Sequence, residues 1–175
     1  MELKKAILER RSIRAFSEKP VEKNLLKELL TAGIYAPTAG NIQPWLFFSI
    51  TDPDGINKIR TISPGMLSDP KALICVCSDQ KKAFERAGKG GKTLSLMDCA
   101  MAAQNIMLRA YDLGLGSCVI RSFNPNALRE IVGAPDHIQP ELIVTIGYPA
   151  ENPDPPARNT DVIYREEYGK KEEGK

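Results

Sequence analysis

The chain has 175 residues, 42% of them hydrophobic and 26% charged, with a formal net charge of +2. This is the composition of an ordinary globular protein of about one domain, and a charge so close to balance demands neither a nucleic-acid nor a membrane partner. Cys75, Cys77, Cys99 and Cys118 all fall in apolar segments, and the single histidine, His137, sits beside Asp136 in a loop. No metal site is therefore expected, since no second Cys or His pair stands at zinc-like spacing. Buried, reduced thiols suit a cytoplasmic protein. Residues 1–5 are polar and charged, so no signal peptide is expected, and no apolar run approaches the roughly 20 residues that span a bilayer.

Leu3, Ala6 and Ile7 recur at helical spacing, which predicts a first helix ending near Arg11. The run Arg10-Arg11-Ser12-Ile13-Arg14 follows, with three guanidinium groups and a hydroxyl in five residues. Arginine makes bidentate, charge-assisted bonds to phosphate, so the run has the chemistry of an anion site. If it is extended, Ser12 and Arg14 share a face. The competing reading is a solvated basic patch placed where a helix dipole favours cations. After Pro20, Leu25, Leu26, Leu29, Leu30 and Ile34 form one apolar stripe, which predicts a second helix stopping before Pro37. The turn Pro37-Thr38-Ala39-Gly40-Asn41 leads through Gln43-Pro44 into Trp45 to Ile50, an apolar and aromatic run that predicts a buried strand. Asp52-Pro53-Asp54 opens another short helix.

Ala72 to Cys77 predicts a second buried strand, and Lys81 to Lys92 reads as a basic surface loop with some helix. Gly91-Lys92-Thr93 ends like a phosphate-binding P-loop, but Arg86 stands where its first Gly belongs. Ser95 and Asp98 resemble a capping box opening a long helix whose apolar residues, Leu96 to Tyr111, spread too widely for one core. Ser117 to Ile120 predicts a third strand. No dinucleotide fingerprint precedes it, because Val119 replaces the third Gly. Asn124-Pro125 predicts an N-cap with Pro at the first helical position, Gly133 closes that helix, and Leu142 to Ile146 predicts a fourth strand. The Pro-rich stretch from Pro153 to Pro156 should be extended and deliver Arg158 at a distance. Residues 1–168 read as one domain, without internal repeats, and 169–175 as a charged, disordered tail.

Arg10 to Arg14, the turn Pro37 to Asn41 with Gln43-Pro44-Trp45, Gly114-Leu115-Gly116-Ser117-Cys118, and Ile146-Gly147-Tyr148-Pro149 followed by Arg158 together resemble the nitroreductase family of FMN-dependent oxidoreductases. The resemblance implies an α+β, three-layer fold with a mixed, mostly antiparallel sheet flanked by helices. It also implies a homodimer with FMN at the interface, NADH or NADPH as electron donor, and a nitro compound, quinone or related small molecule as acceptor. By that similarity Arg10, Ser12 and Arg158 would hold the phosphate with Arg11 alongside. Arg14 would face the pyrimidine edge and offset the negative charge that reduction places there. Pro37, Thr38, Ala39 and Asn41 would come from the partner subunit, and Val119, Ile120, Arg121 and Ser122 would pass the central ring. No catalytic acid or base is implied, which suits a chain with one His.

Departures accompany the resemblance. Pro156 stands where some members place a second base, segment 61–67 lacks the amide side chain that relatives offer the flavin, and Arg121 stands where some carry an acid. The alternative is a flavin-binding protein of the same fold with a specialised role, such as flavin fragmentation, reductive dehalogenation or sensing. A nucleic-acid surface over Arg10 to Arg14 and Lys81 to Lys92 is disfavoured by the near-neutral charge and the scarcity of nearby aromatics.

Overall fold

The computed structural model of the chain describes residues 2–170; Met1 and residues 171–175, most of the expected tail, lie outside them. Strands β1 (Trp45–Ile50), β2 (Ala72–Asp79), β3 (Gly116–Ile120) and β4 (Ile138–Gly147) form one sheet in the order β1-β2-β4-β3, every neighbour antiparallel. Among the described residues the parallel pairing is the isolated bridge between Ser12 and Ser117.

The helices are α1 (Leu3–Glu9), α2 (Lys23–Ile34), α3 (Pro53–Thr61), α4 (Gln80–Ala87), α5 (Gly91–Asp112) and α6 (Pro125–Ile131). Their starts follow local chemistry. Asp52 Oδ2 accepts from the Gly55 amide at 2.9 Å ahead of Pro53. Asn124 Oδ1 accepts from the Asn126 and Ala127 amides at 3.1 and 3.2 Å ahead of Pro125. In both, a side-chain acceptor satisfies donors that the helix leaves free, and Pro occupies a position that needs no N–H.

Side chains alternate across the strands, so the sheet buries both faces. Ile74, Val144 and Ile146 meet Leu29 of α2 and Ile106 of α5, whereas Leu73, Cys75 and Ile143 meet Ile59 of α3 and Leu128 of α6. The three layers and the mostly antiparallel sheet agree with the expected fold class. All four cysteines are free and buried, and His137 is exposed. Among the described residues no helix is long and apolar enough to cross a membrane.

Several expectations need correction. Segment 81–92 is mostly helix rather than loop: α4 fills residues 80–87 and a short 3-10 turn joins it to α5. Ser95 and Asp98 are not a capping box, because α5 has already begun at Gly91. A Cβ at Gly91 would stand 2.3 Å from the Ala83 carbonyl oxygen, so glycine permits α4 and α5 to cross closely and the helix opens there. Ser95 then donates to the Lys92 carbonyl at 3.0 Å from within the helix. Strand β4 starts at Ile138, before Leu142, because a register shift accommodates Pro140: Leu142 faces Val76, Pro140 faces Cys77, and Glu141 is the additional residue of a bulge.

Candidate functional site

Residues 12–17 run extended beside the sheet and are stitched to it. The Ile13 amide donates to the Ser117 carbonyl at 3.0 Å, Ser17 donates to Tyr148 at 2.9 Å, and Ala150 donates to Ala15 at 2.9 Å. Two strand glycines let the strip lie close. A Cβ at Gly116 would meet Ile13 at 2.8 Å, and one at Gly147 would meet Phe16 at 2.7 Å. Ile13 and the sheet thereby fix the strip, while Arg14 is left exposed.

Arg10, Arg11, Ser12 and Arg14 line a cleft of about 390 Å³ together with Pro153, Asp154, Pro156 and Arg158. The extended proline stretch does bring Arg158 back to the N-terminal arginines. Four guanidinium groups thus share a cleft with one carboxylate, Asp154, and among the described residues none of the four forms an ion pair. Burial, then the charges of Arg158 and Arg11, pull the Arg10 guanidinium below its ordinary pKa. Such crowding of like charge is relieved by an anion. Arg11 is partly occupied elsewhere: its Nη1 donates to the Leu8 and Arg10 carbonyls at 2.8 Å each, closing the end of α1.

From this cleft β3 leads away along the free edge of the sheet. Because Ser117 gives its carbonyl to Ile13, antiparallel alternation directs the backbone groups of Val119 to that open edge as well, whereas the Arg121 carbonyl, beyond the strand, accepts from the Phe123 amide at 3.1 Å. Ser117 to Arg121 spans about 13 Å of extended chain. Val119, Arg121 and Ser122 are exposed there; the Ile120 side chain is buried in the core shared with α3 and α6, and the residue pairs with Ile143 of β4. Gly65, from the segment that lacks an amide side chain, lies against Ser122: a Cβ on it would stand 2.0 Å from Ser122 Oγ.

The turn Pro37, Thr38, Ala39, Asn41 does not join this cleft within one chain. It is held instead on α5, where Asp98 Oδ1 accepts from the Ala39 amide at 3.1 Å, and Thr38 Oγ1 accepts from the Gln43 amide at 3.2 Å. Gly40, Asn41 and Gln43 all have positive φ, near +50°, a left-handed bend that Gly and Asn tolerate best.

The sequence model of the nitroreductase family matches residues 7–65 and 58–148, a span that includes the arginine strip, the 37–41 turn and the β3 edge. The chain belongs to the nitroreductase family. A protein of Archaeoglobus fulgidus, provisionally named NADH dehydrogenase/NAD(P)H nitroreductase, is 34% identical over 94% of this chain and 97% of its own length. An FMN reductase (NADPH) of Bacillus subtilis is 25% identical over 82% of this chain and 64% of that longer protein. The crystal structure of a nitroreductase family protein from Clostridium difficile superimposes with a TM-score of 0.78 at 32% identity, covering 90% of this chain and 88% of that one.

Within this nitroreductase-family framework the structure adds acidic residues that sequence reading passed over. Glu151 Oε1 accepts from the Arg14 and Ala15 amides, and those two bonds hold its carboxyl below the usual range. Glu141 is buried, with Oε1 accepting from Ser78 Oγ at 2.8 Å. Asp98 is buried as well; Oδ1 takes the Ala39 amide while Oδ2 has no partner. Glu141 carried a readable signal, a lone carboxylate inside an otherwise apolar strand pattern. Asp98 and Glu151 carried none, since their partners lie far away in sequence.

Proposed function

We propose that the protein is an FMN-dependent NAD(P)H oxidoreductase that reduces a nitro compound, quinone or related small acceptor. The observation that carries this reading is the arginine cleft: Arg10, Ser12, Arg14 and Arg158 converge without ion-pair partners at the start of the open β3 edge. The donor set suits a phosphate monoester, because guanidinium forks and a hydroxyl match its oxygens. The terminal phosphate of FMN would sit on Arg10, Ser12 and Arg158, and the ring system would lie along the edge from Val119 to Ser122, where the outward-facing backbone of Val119 would meet its polar rim.

Bound FMN would supply two-electron redox chemistry, accepting a hydride from NAD(P)H and passing electrons to the acceptor. The chain supplies orientation and charge. Arg14 would offer a cation to the pyrimidine side, where negative charge would develop, making reduction easier. The B. subtilis relative's name as an FMN reductase (NADPH) supports this cofactor and donor.

The functional unit of this reading is a cytoplasmic homodimer of a single domain spanning residues 1–168. Leu96, Met97 and Met101 leave an apolar strip of α5 exposed in the single chain, and Leu3, Ile7 and Leu8 of α1 are exposed as well. A second copy would cover these surfaces and bring its own 37–41 turn to the site. The deciding experiment is to purify the protein, identify released cofactor by chromatography, and titrate anaerobically with NADH and NADPH. FMN that bleaches with either donor is the expected result; FAD, or no flavin uptake from added FMN, refutes the reading. Light scattering at micromolar concentration should give a dimer.

A further inference from the structure

The buried carboxylate of Glu141 lies where a charged group is expensive, and the bulge explains how it comes to be there. Along β4, Leu142 faces the core shared with α2 and α5 and Ile143 the core shared with α3 and α6. Regular alternation would send Glu141 to the α3 and α6 side. The bulge at Pro140 and Glu141 re-aims it. Its Oε1 meets Ser78 Oγ at 2.8 Å and Gln80 Nε2 at 3.4 Å, and Gln80 in turn reaches Ser95 of α5 at 3.1 Å.

Glu141 Oε2 is directed elsewhere, lying 3.9 Å from Nη2 of Arg121. Arg121 follows β3 and among the described residues meets no other carboxylate; its side chain is 54% exposed, against 5% for Glu141, and its guanidinium carbon sits 5.6 Å from the Phe123 ring centre. One Nη of the guanidinium thus lies within ion-pair reach of a buried, hydrogen-bonded carboxylate and near an aromatic ring, while more than half of the side chain stays exposed. Arg121 lies about 13 Å of strand away from the arginine cleft, at the far end of the same open edge.

We propose that Arg121 is a specificity-determining residue that favours reactants carrying an anionic group, and that Glu141 is the positioning residue that fixes its orientation. The inference rests on the oxidoreductase reading above, which places the reacting ring beside Val119 to Ser122. The anionic group is a carboxylate on an aromatic acceptor or the additional phosphate of NADPH. A guanidinium held in this way suits either one, because part of its ordering precedes the reactant's arrival.

The test compares kcat/KM for 4-nitrobenzoate against nitrobenzene, and for NADPH against NADH, in wild type, Arg121→Ala, Arg121→Lys and Glu141→Gln. Each ratio is internal to one variant, so a general loss of activity or flavin content cancels. Arg121→Ala should lower at least one of the two ratios by about tenfold, the effect of losing one charge-assisted hydrogen bond at a partly solvated site. Arg121→Lys should restore part of it. Glu141→Gln should lower the same ratio through KM rather than kcat. In wild type the preference should shrink as salt rises. Calorimetric binding of benzoate, which is not reduced, gives a readout independent of turnover and should weaken in Arg121→Ala. A change confined to the nitrobenzoate ratio assigns the anion to the acceptor, and one confined to NADPH assigns it to the donor. Unchanged ratios in Arg121→Ala, with unchanged benzoate binding, overturn the inference while leaving the oxidoreductase reading intact; wild type that shows no NAD(P)H-driven turnover overturns both.

Discussion

Replacing Gly116 by alanine asks whether the seat of residues 12–17 on the sheet governs the arginine cleft. The new Cβ would stand 2.8 Å from Cβ and Cγ2 of Ile13 and 3.0 Å from its Cγ1, inside the roughly 3.5–4.0 Å at which carbon atoms pack comfortably. β3 is held by its ladder to β4, so the strip must yield. Forcing a methyl into a filled contact costs about 1–3 kcal/mol, which for a chain of this size lowers Tm by about 2–12 °C. Movement of Ser12 and Arg14 relative to Arg10 and Arg158 should also raise the FMN Kd about tenfold, or about 1.4 kcal/mol. Thermal unfolding and fluorescence titration with FMN measure the two effects. Ile13→Ala removes two of the three crowding atoms, so Gly116→Ala should do less damage in that background. A lowered Tm with unchanged FMN affinity would show that the strip's seat does not control the cleft. An unchanged Tm would refute the packing argument itself.

Three further outcomes are expected. Arg10→Ala should weaken FMN binding by about 1.5–3 kcal/mol with little change in turnover at saturating FMN, whereas Arg14→Ala should keep the flavin but lower its reduction potential; spectroelectrochemistry of both separates the roles, and an unchanged potential in Arg14→Ala refutes its assignment. Burial raises the Asp98 carboxyl above its ordinary value, the Ala39 bond only partly offsetting this. The folded state therefore holds that proton longer than the unfolded one, and its contribution to stability falls as pH rises above about 4. Asp98→Asn should flatten that part of the profile in urea melts, and parallel profiles for both proteins would contradict it. Burial, reinforced by Glu141, pushes the Cys77 thiol up to about 12, so neutral iodoacetamide should label it only after unfolding, and rapid native labelling would refute its enclosure.

Elements whose own residues dictate them were legible. Apart from Ser49, Trp45 to Ile50 is apolar or aromatic and forms β1 over those residues, though as a half-buried edge strand rather than the buried strand expected, and Asn124-Pro125 caps α6 as its chemistry demands. The expectations that failed depend on distant neighbours. Residues 80–92 look too basic and glycine-rich to be helical until Ala83 is seen pressing on Gly91. The early part of β4 is disguised by Pro140 and Glu141, which a strand tolerates only at a bulge. For the candidate site, the arginine strip was readable as anion chemistry because guanidinium groups advertise it locally. That Arg11 turns back onto α1, that Glu151 holds the Arg14 and Ala15 amides, and that the 37–41 turn rests on Asp98 are facts of tertiary placement.

The arginine cleft draws its walls from opposite ends of the described chain, with Arg10 to Arg14 on one side and Arg158 on the other. Contacts of such long sequence separation are the slowest to form, since the intervening chain must be ordered before they repay their loop closure. A nascent chain still short of residue 158 has the first three arginines but no complete anion site. On the proposed flavin-dependent reading, cofactor loading should consequently be a late event of biogenesis, and a ribosome-stalled series should retain flavin only once the proline stretch has emerged. A bound phosphate would then act as a reversible clasp between the two ends of the fold, so the apo protein's weak point should be the exposed segment after Pro149, where proteolysis should begin and where added FMN should protect.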